Sequence, residues 1–537
     1  MEPQIHAPGS VRHAEKRRIG TCQFANRIAR AALNAYDDVV PLEYRIENKS
    51  QTCVSAVVAH FSTVGGDNDQ GKLQVMGLGV GTKFLPDSIL REEEIVSGGG
   101  CYGKRVRDCH AEVLAIRAFR RQLSLETLRH MKQPDARQQS NKEANGTTQR
   151  EAEYEPILEL VEESNHRDCT NLESTAEQIH RRYRIKSNVT IHFYASSAPC
   201  GNATLKKFVK MEKEKFDTSL GPDQWPEQTH APIAAHSLRL GQFALLVKRD
   251  GSILSPQLQQ PERLPPEADL QKQSEQTKNE PNSQHHRRKL WPCFENDNWC
   301  PPSTSIPNLN KGTLHSCSDK ICRWNCLGMQ GSLLMTVLDA PIYMSTMTVG
   351  RKFSKIICQR ALCCRASGFD LSKDAIDKNH DDNGKYRLNH PVVMETSVYM
   401  DESGTHDMTG IKHFGQDATF DSNLCWVWWP GKTCNFGYAA DCLDTGLTIN
   451  YYQTIEGSDL NNPDTSLSIP PTFSECSTYA MFQIVMEIFH VGCIRSGLSL
   501  SDLRRWKRTL SVEYESAKDE LFRHRVFTQW CRRGRCS

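Results

Sequence analysis

Gln133–Arg150 contains no valine, isoleucine, leucine, methionine or aromatic residue. Such a stretch cannot bury enough surface to offset the entropy of ordering it. Pro256–Arg288, rich in glutamine and proline and free of aromatic and β-branched apolar residues, has the same character. These two gaps cut the 537-residue chain into blocks, each too poor in strands to build a core alone. The expectation is one fold, over 21–537, behind a polar leader at 1–20 and interrupted by disordered insertions at 124–185 and 252–312. Within the first insertion the acidic run to Glu177 offers only a short helix around Ile157–Val161.

Between the gaps the hydrophobic periods are readable. Phe24–Tyr36 carries apolar residues at helical intervals, Val54–Phe61 and Leu73–Val80 read as strands, and Gly79-Val80-Gly81-Thr82-Lys83 reads as a glycine-flanked turn. His110–Leu123 reads as a helix whose polar face carries Arg117, Arg120 and Arg121. Val189, Ile191 and Phe193 alternate with polar neighbours in a strand that runs into Pro199-Cys200-Gly201. Lys+Arg total 66 against 64 Asp+Glu, a balance that argues against a polybasic coat protein but permits a local basic groove. There is no run of about 18 apolar residues and no signal-peptide core. The chain is therefore expected to be intracellular, in cytoplasm, nucleus or both, with no membrane and no evident partner protein. The 21 cysteines, odd in number and irregularly spaced, read as reduced thiols around a metal site.

Three short segments carry the chemistry: Asp108-Cys109-His110-Ala111-Glu112, Pro199-Cys200-Gly201 and Ser316-Cys317-Ser318-Asp319-Lys320. An H-x-E followed by P-C is the pattern of zinc-dependent nucleobase deaminases. A catalytic zinc takes three protein ligands and keeps one position open. His110 offers an imidazole, Cys200 a thiolate, and Glu112, two residues past His110, a carboxylate for moving protons. His-Ala-Glu alone carries no weight, because His13-Ala14-Glu15 occurs in the leader with no strand or Pro-Cys behind it. The usual P-C-x-x-C is also broken, since Ala203 stands at the second cysteine position. The second thiolate must come from elsewhere.

The three segments, with Arg323-Trp324-Asn325 and Gly331-Ser332-Leu333-Leu334, resemble the adenosine-to-inosine editing deaminases. The resemblance implies an α/β fold like that of cytidine deaminases, a mixed sheet flanked by helices, and it makes Cys317 the third zinc ligand. It further implies an inositol hexakisphosphate beneath the site, contacted by Arg117, Lys320, Arg323, Gly331, Ser332, Tyr514, Lys518 and Trp530. A lysine upstream of S-C-S-D-K would join that anion to Asp108. Cys322 and Cys326 read as core thiols against the sheet, and Cys363-Cys364 receives no role.

Only about twenty residues precede the first expected helix, too few for a double-stranded RNA-binding domain, so the resemblance points to the tRNA-specific branch. That branch implies deamination of the adenosine 3′ of the anticodon, position 37, in tRNA-Ala, with Thr82 and Lys83 on the substrate backbone. An unpaired loop base enters a pocket without duplex opening. A duplex-RNA editor and a non-catalytic, zinc-containing RNA-binding relative are the alternatives. Free-nucleoside or cytidine deamination is disfavoured by the missing P-C-x-x-C, and a purely structural zinc site would have no use for Glu112.

Overall fold

The computed structural model describes residues 9–40, 53–62, 71–84, 106, 108–132, 154–164, 180–204, 227–231, 243–247, 253–254, 315–369, 386–400, 406–407, 424–430, 435–441, 448–454, 475–488, 500–524 and 526–527. Its strands are β1 (Val54–Phe61), β2 (Lys72–Val80), β3 (Thr82–Phe84), β4 (Asp108–His110), β5 (Leu158–Ser164), β6 (His180–Ile185), β7 (Val189–Ser197), β8 (Glu227–Ala231), β9 (Phe243–Val247), β10 (Ile253–Leu254), β11 (Thr346–Arg351), β12 (Val392–Glu395), β13 (Tyr399–Met400), β14 (His406–Asp407), β15 (Leu424–Trp428), β16 (Asn435–Asp441) and β17 (Thr448–Thr454). The helices are α1 (Gly9–Val39), α2 (Ala111–Lys132), α3 (Cys317–Leu327), α4 (Gly331–Leu334), α5 (Lys355–Leu362), α6 (Thr478–Ile488), α7 (Leu500–Leu510) and α8 (Val512–Leu521).

The central sheet runs β12-β11-β7-β1-β2-β15-β16-β17. β7, β11 and β12 are mutually parallel, whereas β1 is antiparallel to both β2 and β7. This is the expected mixed sheet flanked by helices. β1 is buried along its whole length, and its alternation divides two cores. Ala56 and Val58 pack with Ile28, Ala32, Leu33 and Tyr36 of α1, while Val57 and Ala59 pack with Ala115, Ile116 and Phe119 of α2. Gly77 and Gly79 let α2 lie directly on β2: a Cβ on Gly79 would stand 2.2 Å from the Ala111 carbonyl oxygen. The expected turn therefore begins only at Gly81, the left-handed position of this segment at φ 144°, whose carbonyl accepts the Ala111 N–H at 2.9 Å.

Several expectations are corrected. α1 begins at Gly9, inside the supposed leader. The insertion expected at 124–185 is interrupted three times, because α2 runs to Lys132 and β5 and β6 form a hairpin. The helix expected around Ile157–Val161 is β5; its charged pair Glu159–Arg184, 2.7 Å apart across the hairpin, disguises the strand alternation. The insertion expected at 252–312 contains β10 near its start, and its residues 252 and 255–312 lie outside the described residues. The arginine face of α2 is not a free polar face, since α2 is covered there by α4 and α6. Cys322 and Cys326 are buried as expected, but among Tyr514, Ala517 and Leu521 of α8 rather than on the sheet. Among the described residues no helix is long and apolar enough to cross a membrane.

His192 of β7 is buried, with hydroxyls at both ring nitrogens, Thr190 and Thr346 each at 2.8 Å. Phe24 and His60 face its ring, at centroid distances of 5.0 and 5.9 Å. Burial, with His60 adding, lowers it to about 4. The folded pKa lies below the unfolded value of about 6.5, so the stability held by neutral His192 is complete above pH ~6.5 and is lost as pH falls toward 4. The full effect is about 3 kcal/mol. Urea midpoints measured from pH 7 to 4.5 are expected to fall less steeply in His192→Asn than in the wild type; parallel slopes would assign the acid sensitivity elsewhere.

Candidate active site

β4 pairs with β3 so that Thr82 stands opposite His110, and α2 starts at the next residue. Asp108 Oδ1 accepts from His110 Nδ1 at 2.6 Å, which leaves Nε2 as the ring nitrogen for a metal. From the other side, β7 delivers Cys200. Gly201 follows at φ 97°, where a Cβ would sit 2.3 Å from Ser316 Oγ, so the two cysteine segments close on each other only through a glycine. Ser316 caps α3, accepting the Asp319 N–H at 3.1 Å. The Cys317 N–H reaches Cys200 Sγ at 3.3 Å, the Ser318 N–H donates to the Cys200 carbonyl at 3.0 Å, and Ser318 Oγ accepts the Asn202 N–H at 2.9 Å.

The result is a cluster in which the ligand atoms of His110, Cys200 and Cys317 lie within 4.8 Å of one another. One imidazole and two thiols, with Cys317 opening α3 where the helix dipole favours thiolate, fit an open three-ligand zinc site. Glu112 is buried beside them. Burial, then the Cys200 thiolate, raises its carboxyl to about 7. Burial also opposes ionisation of Asp108, but Lys320 and His110 outweigh it and hold Asp108 well below the carboxylate range. In the same way burial works against the His110 imidazolium, and Asp108 overcomes it, raising His110 to about 9.

Among the described residues the lysine paired with Asp108 is Lys320, inside the S-C-S-D-K segment; the lysines just upstream of that segment, Lys289 and Lys311, lie outside the described residues. One turn along α3 comes Arg323, and there a second cluster begins, from Arg117 and Arg120 of α2, Lys507 of α7 and Tyr514 and Lys518 of α8. Arg120 Nε donates to the Met329 carbonyl at 2.6 Å, and Gly331, at φ 75°, sits against its guanidinium, where a Cβ would be 3.1 Å from Arg120 Cζ. Ser332 is buried beside it in α4. Burial, opposed by Tyr514 and reinforced by Arg323 and Arg117, lowers Arg120 to about 10. Burial and Lys518, with Arg120 and Arg117 adding, lower Lys507 to about 8. Cations that depress one another in a half-buried site fit a polyanion. Lys518 also meets Glu515 at 2.5 Å.

Thr82 Oγ1 is buried without a hydrogen-bond partner. The Lys83 side chain and Trp530 lie outside the described residues. Arg120 and Lys507 were not among the residues expected at the anion site. Arg120 carried a usable signal, since it follows Arg117 by three residues and so shares its helix face; Lys507, in a basic helix, carried none.

Compared with known proteins, residues 154–534 match the adenosine-deaminase (editase) domain family. The matched stretch includes Cys200 and Cys317 and begins after His110 and Glu112, which the fold supplies through β4 and α2. The double-stranded RNA-specific adenosine deaminase of Mus musculus is 25% identical over 55% of this chain but only 18% of its own length. The tRNA-specific adenosine deaminase 1 of Mus musculus is 25% identical over 64% of this chain and 68% of its own length. Its Homo sapiens counterpart is 53% identical over 51 residues, 9% of this chain and 10% of that protein.

Proposed function

The chain belongs to the adenosine-deaminase (editase) family, and from that premise we propose that it hydrolyses adenosine to inosine in RNA, with the adenosine 3′ of the tRNA-Ala anticodon as substrate. The observation that carries the reading is Glu112, a buried carboxylate placed beside the His110–Cys200–Cys317 set without being needed as a ligand. Zinc held by those three residues would supply a Lewis acid and an acidified water.

The reaction places the oxygen of water on C6 of adenine and releases ammonia, so one water proton must end on the ring nitrogen and the other on the departing nitrogen. Glu112 is the group that carries them. A carboxyl raised to about 7 by burial and the Cys200 thiolate can both accept and return a proton near neutrality; a bound divalent cation lowers it from there. Asp108, anchored by Lys320, fixes the His110 ring. The Thr82 hydroxyl, opposite His110 and buried without a partner, offers a hydrogen bond to substrate, with Lys83 following it toward phosphate. Inositol hexakisphosphate would be held by Arg117, Arg120, Arg323, Lys507 and Lys518, with Gly331, Ser332, Tyr514 and Trp530. In this reading residues 21–537 act as one deaminase domain inside the cell.

The tRNA assignment is supported by the tRNA-specific relatives from mouse, human and yeast. The test is inosine formation on a tRNA-Ala transcript beside a perfect RNA duplex and free cytidine. Inosine at position 37 of the tRNA alone is the expected result. Product only on the duplex would move the substrate to the double-stranded class, and no product anywhere with zinc bound would make the chain a non-catalytic relative.

A further inference from the structure

A second group of metal-ligating side chains lies away from the deaminase cluster, with the ligand atoms of Cys363, Cys364 and His390 within 4.8 Å of one another. Cys363 is buried; Cys364 and His390 are exposed. The two sulfurs are 3.5 Å apart and Cys364 Sγ is 3.8 Å from His390 Nδ1. A tetrahedral ion with metal–sulfur bonds of about 2.3 Å and metal–nitrogen bonds of about 2.0–2.1 Å has ligand edges of about 3.5–3.8 Å. Two of the three separations match those edges and the third, between Cys363 and His390, is under 4.8 Å, a spacing that one ion can bridge.

Both halves of the cluster are held in place before any ion binds. Cys363 and Cys364 join the end of α5 to the 3₁₀ turn Cys364–Ala366. That turn is anchored by Arg365, whose Nε donates to the Ala361 carbonyl at 2.9 Å and whose Nη2 meets Asp319 Oδ1 at 2.5 Å. On the other side, His390 follows Asn389. The Asn389 amide donates to Asn325 Oδ1 at 3.0 Å and to the Met344 carbonyl at 2.9 Å, and its backbone N–H donates to the Asn325 carbonyl at 2.7 Å. The neighbours of the three ligands are thus tied down by bonds in which the ligands take no part.

The geometry points to a second metal site, a three-ligand Cys363–Cys364–His390 centre for a thiophilic divalent cation of the zinc class, with its fourth position open to solvent. Two thiolates and an imidazole select soft or borderline ions over magnesium or calcium. The ion would staple the turn after α5 to the segment entering β12. The effect reaches the active site through Arg365: Asp319 lies two residues after Cys317, and its Oδ1 also accepts from Asn202 Nδ2 at 3.4 Å, two residues after Cys200. The centre would brace the turn that positions both cysteines of the first cluster, without itself meeting substrate.

The test is zinc per chain by mass spectrometry on the full-length protein, equilibrated with Zn2+ at a fixed free concentration. The wild type is expected to hold two equivalents, and Cys364→Ser and His390→Asn are each expected to reduce this to one. Both residues are exposed, so neither substitution opens a cavity. Cys317→Ala is expected to lose the other equivalent and keep this one; if that variant fails to fold, Cys200→Ala serves instead. Co2+ in the Cys317→Ala protein is expected to show thiolate charge transfer that disappears on adding Cys364→Ser. One equivalent in the wild type, untouched by Cys364→Ser and His390→Asn, would overturn the proposal. So would two equivalents that both survive those substitutions, or a metal-free Cys363–Cys364 disulfide in the isolated protein.

Discussion

Glu112→Gln is expected to lower inosine formation by about 10³-fold or more while leaving the zinc content of the first cluster unchanged. General acid–base groups contribute roughly 10²–10⁴-fold, and here one carboxyl serves both proton transfers, so the upper part of that range applies. Glutamine keeps the size and a hydrogen-bonding oxygen, which separates loss of the proton carrier from loss of packing around a buried position. Single-turnover rates on the tRNA transcript, read beside metal analysis, check it. Turnover within tenfold of wild type would remove Glu112 from the proton path. Normal zinc with no turnover is the expected pair of results, and loss of zinc would instead make Glu112 part of the metal's surroundings.

Lys320→Met carries the largest expected cost in stability. Lys320 and Asp108 are both buried and paired, and Asp108 also holds His110. Removing one member of a buried ion pair leaves an uncompensated charge and costs about 3–5 kcal/mol. The Asp108 pKa is depressed in the fold, so its contribution is fully present above the unfolded carboxylate value of about 3.9 and is lost only as pH falls below it. The loss in Lys320→Met is therefore expected across the neutral range and is measured by urea denaturation at pH 7. Adding Asp108→Asn is expected to restore part of it, because the stranded charge is then gone. A Lys320→Met protein within about 1 kcal/mol of wild type, or a double variant no better than the single one, would show that the pair does not carry the fold there.

The segments read correctly from periodicity are those whose burial is one-sided or complete. β1 matches Val54–Phe61 residue for residue, β2 and β7 cover the strands expected at Leu73–Val80 and Val189–Phe193, α1 contains the helix expected at Phe24–Tyr36, and α2 covers that expected at His110–Leu123 except for His110, which ends β4. Misreadings fall where charge masks the pattern. The β5–β6 hairpin exposes Glu159 and Arg184 toward each other, and Arg117, Arg120 and Arg121 mark a helix face that other helices cover.

His110, Glu112 and Cys200 could be picked out from the H-x-E and P-C segments, because metal chemistry demands few residue types at short spacing, whereas Cys317 rests only on the resemblance to the editing deaminases; the fold brings His110, Cys200 and Cys317 together. The residue paired with Asp108 could not be picked out, since Lys320 lies 212 positions away and only the approach of α3 to β4 brings the two together. The cationic cluster drawn from α2, α3, α7 and α8, and the meeting of Cys363 and Cys364 with His390, arise in the same way. Local pattern determined the elements and the ligand types, because hydrogen bonding and burial act along a few neighbouring residues. Which charges share a buried volume was decided by tertiary packing, because electrostatics in a low-dielectric interior depends on distance in space and not along the chain.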